Sequence, residues 1–145
     1  MFVAPATPHQ HAYTLRFEQR QGYAYAHVRG ELDTVEISVA YWSEIASYCR
    51  EHSVHSVLVV EEIKQRAAVL DIYEVASGLV ALGFANIRIA FVDCNADELP
   101  MMQFAETVAR NRGIDGRVFA NEADAEAWLL HEAAGEPESL RQRGG

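Results

Sequence analysis

The sequence predicts an α/β domain: a mixed, mostly parallel sheet that opens with an N-terminal β-hairpin and carries four helices, in the order ββαβαβαβα. Three observations lead there. Two stretches near the start alternate apolar and polar residues at period two, with a Gln-Gly pair between them. After them, short β-branched runs alternate with stretches whose apolar residues recur at helical spacing. Those short runs are apolar nearly throughout, as strands covered on both faces are.

Each element follows in order. Tyr13, Leu15 and Phe17 alternate with polar residues and make the first strand. Gln21-Gly22 suits the turn, because Gly accepts positive φ. The second strand runs from Tyr23, with Ala24, Ala26 and Val28 on one face and Tyr23, Tyr25 and His27 on the other, and Gly30 ends it. Asp33 and Glu36 have capping-box spacing, and Ile37, Tyr41, Ile45 and Tyr48 form the apolar stripe of a first helix. Val57 to Val60 is the third strand. Asp71 and Glu74 form a second capping box with Leu70 and Val75 as its staple; Ile72, Val75, Ala76 and Leu79 face inward, and Gly83 stops the helix. Ile87 to Val92 is the fourth strand, apolar except for Arg88. Pro100 opens a third helix with Phe104, Ala105 and Val108 inward; Arg110 and Arg112 suit its C-terminal dipole, and Gly113 ends it. Arg117 to Phe119 is a short last strand. Asn121 caps a final helix that turns Ala125, Trp128 and Leu129 inward.

A chain of 145 residues is one ordinary domain, expected over residues 13–131, between a flexible arm at 1–12 and a flexible polar tail at 132–145. Half the residues are hydrophobic, which supplies a core and argues against disorder. A formal charge of −9 excludes general nucleic-acid binding and docking on anionic membranes. No stretch approaches the ~18 apolar residues of a membrane span. Residues 1–12 have no basic residue and no long apolar run, so no secretory leader is expected there. Cys49 and Cys94 lie far apart, and a reduced, cytoplasmic compartment is expected.

Ligands of open α/β sheets sit outside the carboxyl ends of strands, which draws attention to Glu61 and Glu62 after the third strand. Lys64 and Arg66 follow and can meet an anion or an acidic partner; the alternative is a solvated charged loop. Asp93-Cys94-Asn95 closes the fourth strand at the same edge. Cys94 is read as a small buried thiol rather than a nucleophile, and Asp93 stays a binding candidate. Cys49, His52 and His55 form a string with no evident fourth ligand, so no metal is expected. Trp42 lies beside the stripe of the first helix, where it either marks an interface or widens the core-facing surface. Phosphate-binding loops and nucleophile elbows are absent, and no catalytic residue and no cofactor are assigned.

The segment Val28-Arg29-Gly30-Glu31-Leu32-Asp33 and the passage Gly83 to Asp93, set in this element order, resemble the STAS domain, the SpoIIAA-like branch in particular, over about residues 13–130. The resemblance implies a non-enzymatic regulatory or protein-interaction module of the bacterial anti-sigma-factor-antagonist type, with a protein partner or a homodimer. In that family a Ser or Thr at the start of the second helix is phosphorylated as a switch. Here Glu61 to Leu70 holds no hydroxyl residue, and the next one is Tyr73. Glu61 or Glu62 is a poor mimic of phosphate, having less charge and fewer acceptor oxygens. The alternative is a small-ligand site for a nucleotide, lipid or anion, binding or catalytic, at the carboxyl ends of the third and fourth strands. It requires a pocket on the order of 300 Å³ there.

Overall fold

Five strands build one sheet whose spatial order, β1-β2-β3-β4-β5, equals their order in the chain. A computed structural model describes residues 12–66 and 69–133, with side chains at 69–71 and 132–133 left aside. The expected arm at 1–12 and tail at 132–145 thus lie almost wholly outside the described residues. β1 (Tyr13–Arg20) and β2 (Tyr23–Asp33) pair antiparallel around Gly22, whose φ of +93° a side chain would strain. β3 (Ser56–Arg66), β4 (Arg88–Asp93) and β5 (Gly116–Phe119) add in parallel. The mixed, mostly parallel α/β sheet with its hairpin is the architecture expected from the sequence.

Three crossovers stepping the same way across the sheet put their helices on one face. These are α1 (Val35–Glu51), the pair α2 (Val69–Ser77) and α3 (Leu79–Leu82), and α4 (Leu99–Asn111). Ala24, Ala26, Val28, Val57, Val59 and Ile89 meet them there. α5 (Glu122–Ala133) covers the opposite face, over Tyr23, Tyr25, Leu58, Val60, Ala90 and Val92. β3 is therefore apolar on both faces, and Tyr23 and Tyr25 lie under a helix rather than forming an open aromatic surface. The stripe of α1 is as read: Ile37, Tyr41 and Ile45 are buried, and Tyr48 stacks on Phe17 at 4.1 Å.

The structure corrects several boundaries. Among the described residues five helices stand where four were expected, because Gly78 divides α2 from α3 before Gly83 ends the run at φ +107°. Thr34, not Asp33, caps α1, its side chain accepting from the Ile37 amide, while Asp33 ends β2. α2 starts at Val69, so Asp71 lies inside it and the capping box is not its start. β2 runs past Gly30 to Asp33, and β3 runs past Val60 to Arg66 in register with it. In α4, Met102 and Ala109 join Val108 in the core, and Phe104 faces outward.

Candidate functional site

The extension of β3 decides where its charges go. Side chains alternate along a strand, so Val57, Val59, Glu61 and Ile63 share the face that the crossover helices cover. Glu61 is 1% exposed as a result. Five residues on, the chain turns Arg66 back over the same strand ends. Its guanidinium reaches Asp33 Oδ2 at 2.9 Å, Glu98 Oε1 at 3.1 Å and Asp93 Oδ2 at 3.5 Å, and it bonds Glu61. Tyr41, from the stripe of α1, places its hydroxyl between Asp33 Oδ2 at 2.8 Å and Glu61, and Ser38 donates to Asp33 Oδ1. A buried hub of four carboxyls, two hydroxyls and one guanidinium results, drawn from β2, α1, β3, β4 and the 3-10 turn (Ala96–Glu98) before α4.

Electrostatics follow from that count. Were every carboxyl ionised, three negative charges would be uncompensated in a dry site, where charge is costly. Protonation relieves this. Burial pushes the Glu61 carboxyl well above its ordinary value; Arg66 opposes the rise, and Asp33 and Asp93 add to it. Burial likewise raises Asp93, helped by a hydrogen bond with Glu98, from 3.8 to about 7. The Tyr41 phenol is held well above its usual range by burial and by the Glu61 and Asp33 charges. A hydroxyl has one proton to give. With Glu61 protonated, Glu61 donates to the Tyr41 oxygen and Tyr41 donates to Asp33. Oxygens of Glu61, Asp93 and Glu98 fall within 4.8 Å of one another, and the cation they face is the Arg66 guanidinium.

Sequence candidates separate on this frame. Glu61, Arg66 and Asp93 are brought together, but inside the domain; Arg66 has a side chain 6% exposed and is not the accessible loop residue expected. Glu62 and Lys64 point to the other side of β3. Glu62 bonds His27 Nε2 at 2.9 Å and lies 3.5 Å from Arg29, and Lys64 reaches Glu31 at 3.3 Å with its side chain 72% exposed. Trp42 is buried among Phe84 and Phe91, so it widens the core-facing stripe and presents no interface. Cys94 is exposed rather than buried; residual burial and the Glu62 and Asp93 charges raise its thiol above the ordinary value, which disfavours the thiolate. Cys49 is buried, and His52 stacks on Tyr48 instead of turning toward it.

Asp33, Ser38, Tyr41 and Glu98 escape the sequence reading. Asp33 and Tyr41 look like a helix cap and a core stripe. Only the parity of Glu61 with Val57 and Val59 signals that a carboxyl goes inward and needs partners.

Two hollows border the hub. A cavity of about 90 Å³ lies between the sheet and the crossover helices, among Trp42, Ile72, Leu79, Phe91 and Met102, with Glu61 and Arg66 at its polar end. An open groove of about 460 Å³ runs along the Glu62 side, past Thr14, Arg29, Lys64, Cys94 and Asn95.

The sequence matches no family model and none of the curated proteins. Among solved structures, an anti-sigma factor antagonist from Mycobacterium paratuberculosis shares the architecture, with a TM-score of 0.56 over 87% of this chain and 99% of that one, at 11% identity. The chain thus shares the fold of that anti-sigma factor antagonist. None of the described helices is long and apolar enough to cross a membrane.

Proposed function

We propose that this chain is a non-enzymatic regulatory module of the anti-sigma-factor-antagonist type, acting by contact with a protein partner or a second copy and without the usual Ser/Thr phosphoswitch. The observation that supports this best is the closure of the hub. Its carboxyls are each bonded to Arg66 or to a neighbouring hydroxyl or carboxyl, and it is buried, so it braces the strand ends and offers a substrate no free group. In the sequence, Glu61 to Leu70, where the resemblance puts the phosphorylated hydroxyl, holds no Ser or Thr. Tyr73 on α2 and Phe104 on α4 lie side by side and exposed, and give that end of the molecule an apolar contact surface. Purification from the native cell is expected to recover a stoichiometric partner or a dimer that Tyr73→Ala loses. A strictly monomeric chain with no partner overturns this reading.

The groove supports a second reading. Its volume exceeds the roughly 300 Å³ of a small-ligand site, and its cations Arg29 and Lys64 sit at the carboxyl ends of β2 and β3. A thermal-shift screen with nucleotides, lipids and carboxylates tests it. Stabilisation by one compound that Lys64→Ala abolishes favours it, and no shift from any class removes it.

A further inference from the structure

β1 is an edge of the sheet, and among the described residues it pairs with β2 alone. The other edge, β5, has 4 residues; β1 has 8, matched one to one with β2, with no bulge and no proline. A long, regular edge is a template for another strand unless something blunts it. The hairpin turn fixes which backbone groups point outward. Arg20 and Tyr23 close a two-residue loop, so they form a hydrogen-bonded pair. Thr14, Arg16 and Glu18 then also bond to β2, and Tyr13, Leu15, Phe17 and Gln19 turn their N–H and C=O groups away from the sheet.

We propose that β1 is a homotypic docking edge: two copies of this chain join antiparallel through it, about a twofold axis at Phe17, into one continuous sheet. The inference rests on the reading of the chain as a contact module, and it names where the second copy sits.

The charges of β1 select that register. Arg16, Glu18 and Arg20 share the face of the sheet away from α1 and alternate in sign, Glu18 lying 2.8 Å from Arg16 and 2.9 Å from Arg20. An axis at Arg16 sets Arg16 against Arg16 of the second copy, and an axis at Glu18 sets Glu18 against Glu18. Like charges directly opposite are destabilising. An axis at Phe17 sets Arg16 opposite Glu18 of the second copy, and Glu18 opposite its Arg16. These are non-hydrogen-bonded positions, where side chains of paired strands come closest. Phe17 and its counterpart then exchange hydrogen bonds, as their outward groups require, and the pairing uses the whole strand. The edge is complementary to itself in charge, hydrogen bonding and length.

Packing agrees with this register. Leu15 and Phe17 are only partly buried on the inner face, where Phe17 stacks on Tyr48. The second copy brings its own Phe17 beside Phe17 and its Gln19 beside Leu15, covering apolar surface that a single copy leaves in water. The described helices leave room. α5 lies over residues of β2, β3 and β4. On the other face the two α1 helices stand two to three strand spacings apart, about 10–14 Å, no closer than packed helices do. A twofold contact closes on itself, so assembly stops at two copies. The Tyr73 and Phe104 surface, on α2 and α4, is separate from this edge and stays open for a protein partner.

Sedimentation velocity of the full chain over a concentration series is expected to show a dimer. Arg16→Glu and Glu18→Arg each set like charges opposite at two places across the axis, and each is expected to weaken the dimer about tenfold. Mixed together, the two variants again place opposite charges at both places, and the mixture is expected to dimerise. The two side chains are 54% and 40% exposed, so the fold of the monomer does not rest on them. Gln19→Pro, a second kind of variant, removes an outward N–H and spares the bonds to β2, at a position where an edge strand accepts proline. It is expected to abolish the dimer with the circular dichroism of the chain unchanged. Tyr73→Ala is expected to leave this dimer intact. A chain that is monomeric at every concentration, or a dimer that neither charge variant weakens, overturns the inference. A dimer lost in Tyr73→Ala and kept in the β1 variants, or a monomer with a stoichiometric protein partner, overturns it while upholding the reading it rests on.

Discussion

Glu61 and Glu62 are consecutive residues of one strand, and they enter different chemistry. Glu61 faces the crossover helices and joins a hub closed around Arg66, with side chains 1% and 6% exposed. Glu62 faces the end of the sheet that α5 does not reach, and joins a ladder with His27 and Arg29 beside the Lys64–Glu31 pair. Both regions contain carboxylates, a basic residue and distances near 3 Å. The difference is water. In the ladder, solvent screens each pair and replaces it when it breaks; in the hub nothing else solvates the charges. A distance between two charged atoms therefore says little about stability until its burial is known.

The comparison is broken most severely at Arg66. Arg66→Met leaves the buried carboxyls without their cation and should cost about 3–5 kcal/mol in urea unfolding at neutral pH. The cost should shrink at acid pH, where the carboxyls are protonated, and adding Asp33→Asn should recover part of it, because the two changes share one network. Lys64→Met, on the ladder two residues away, should change stability by less than about 0.5 kcal/mol. Equal costs at the two positions would contradict the burial assigned to Arg66.

Tyr41→Phe is the intermediate case. It keeps the ring in the core, against Tyr13 and Trp42, and deletes the hydroxyl between Asp33 and Glu61. A loss of about 1–3 kcal/mol is expected, from the hydrogen bonds removed at two buried carboxyls that keep Arg66 and, at Asp33, Ser38 as partners. Glu62→Ala should have the smallest effect, within about 0.5 kcal/mol, and raising the salt concentration should reduce it further. Salt should leave the Tyr41→Phe loss nearly unchanged, so one titration of ionic strength separates the two regions.

The fold was more legible in the sequence than the hub, for a physical reason. Period-two alternation, β-branched runs and the Gly22 turn are local signals, and they located every strand. Helix caps were less legible. Asp33 and Asp71 both stand three residues before a glutamate, yet one ends a strand and the other lies within a helix, because strand pairing and packing outweigh a cap preference of about 1 kcal/mol. Glu61 and Arg66 read as a polar loop because charge usually marks the end of a buried strand. Their burial is made possible by partners 28 residues earlier and 32 residues later, Asp33 and Glu98, which no local window contains. Trp42 was ambiguous on helical spacing alone, and was settled by Phe84 and Phe91 from other elements.

Each strand of the sheet lies beside its neighbour in the chain. No strand has to wait for a distant stretch of polypeptide before it can pair, so the sheet can extend from the hairpin in the order in which the chain is synthesised, with only short loop closures at each step. The hub follows another schedule. Asp33 and Arg66 are present once β3 is laid down, but Asp93 and Glu98 arrive only after another helix pair and strand. Until then Arg66 has only part of its anionic shell. Completing that shell is a late step, so substitutions there should mainly speed unfolding, whereas those in the β1–β2 hairpin should slow folding.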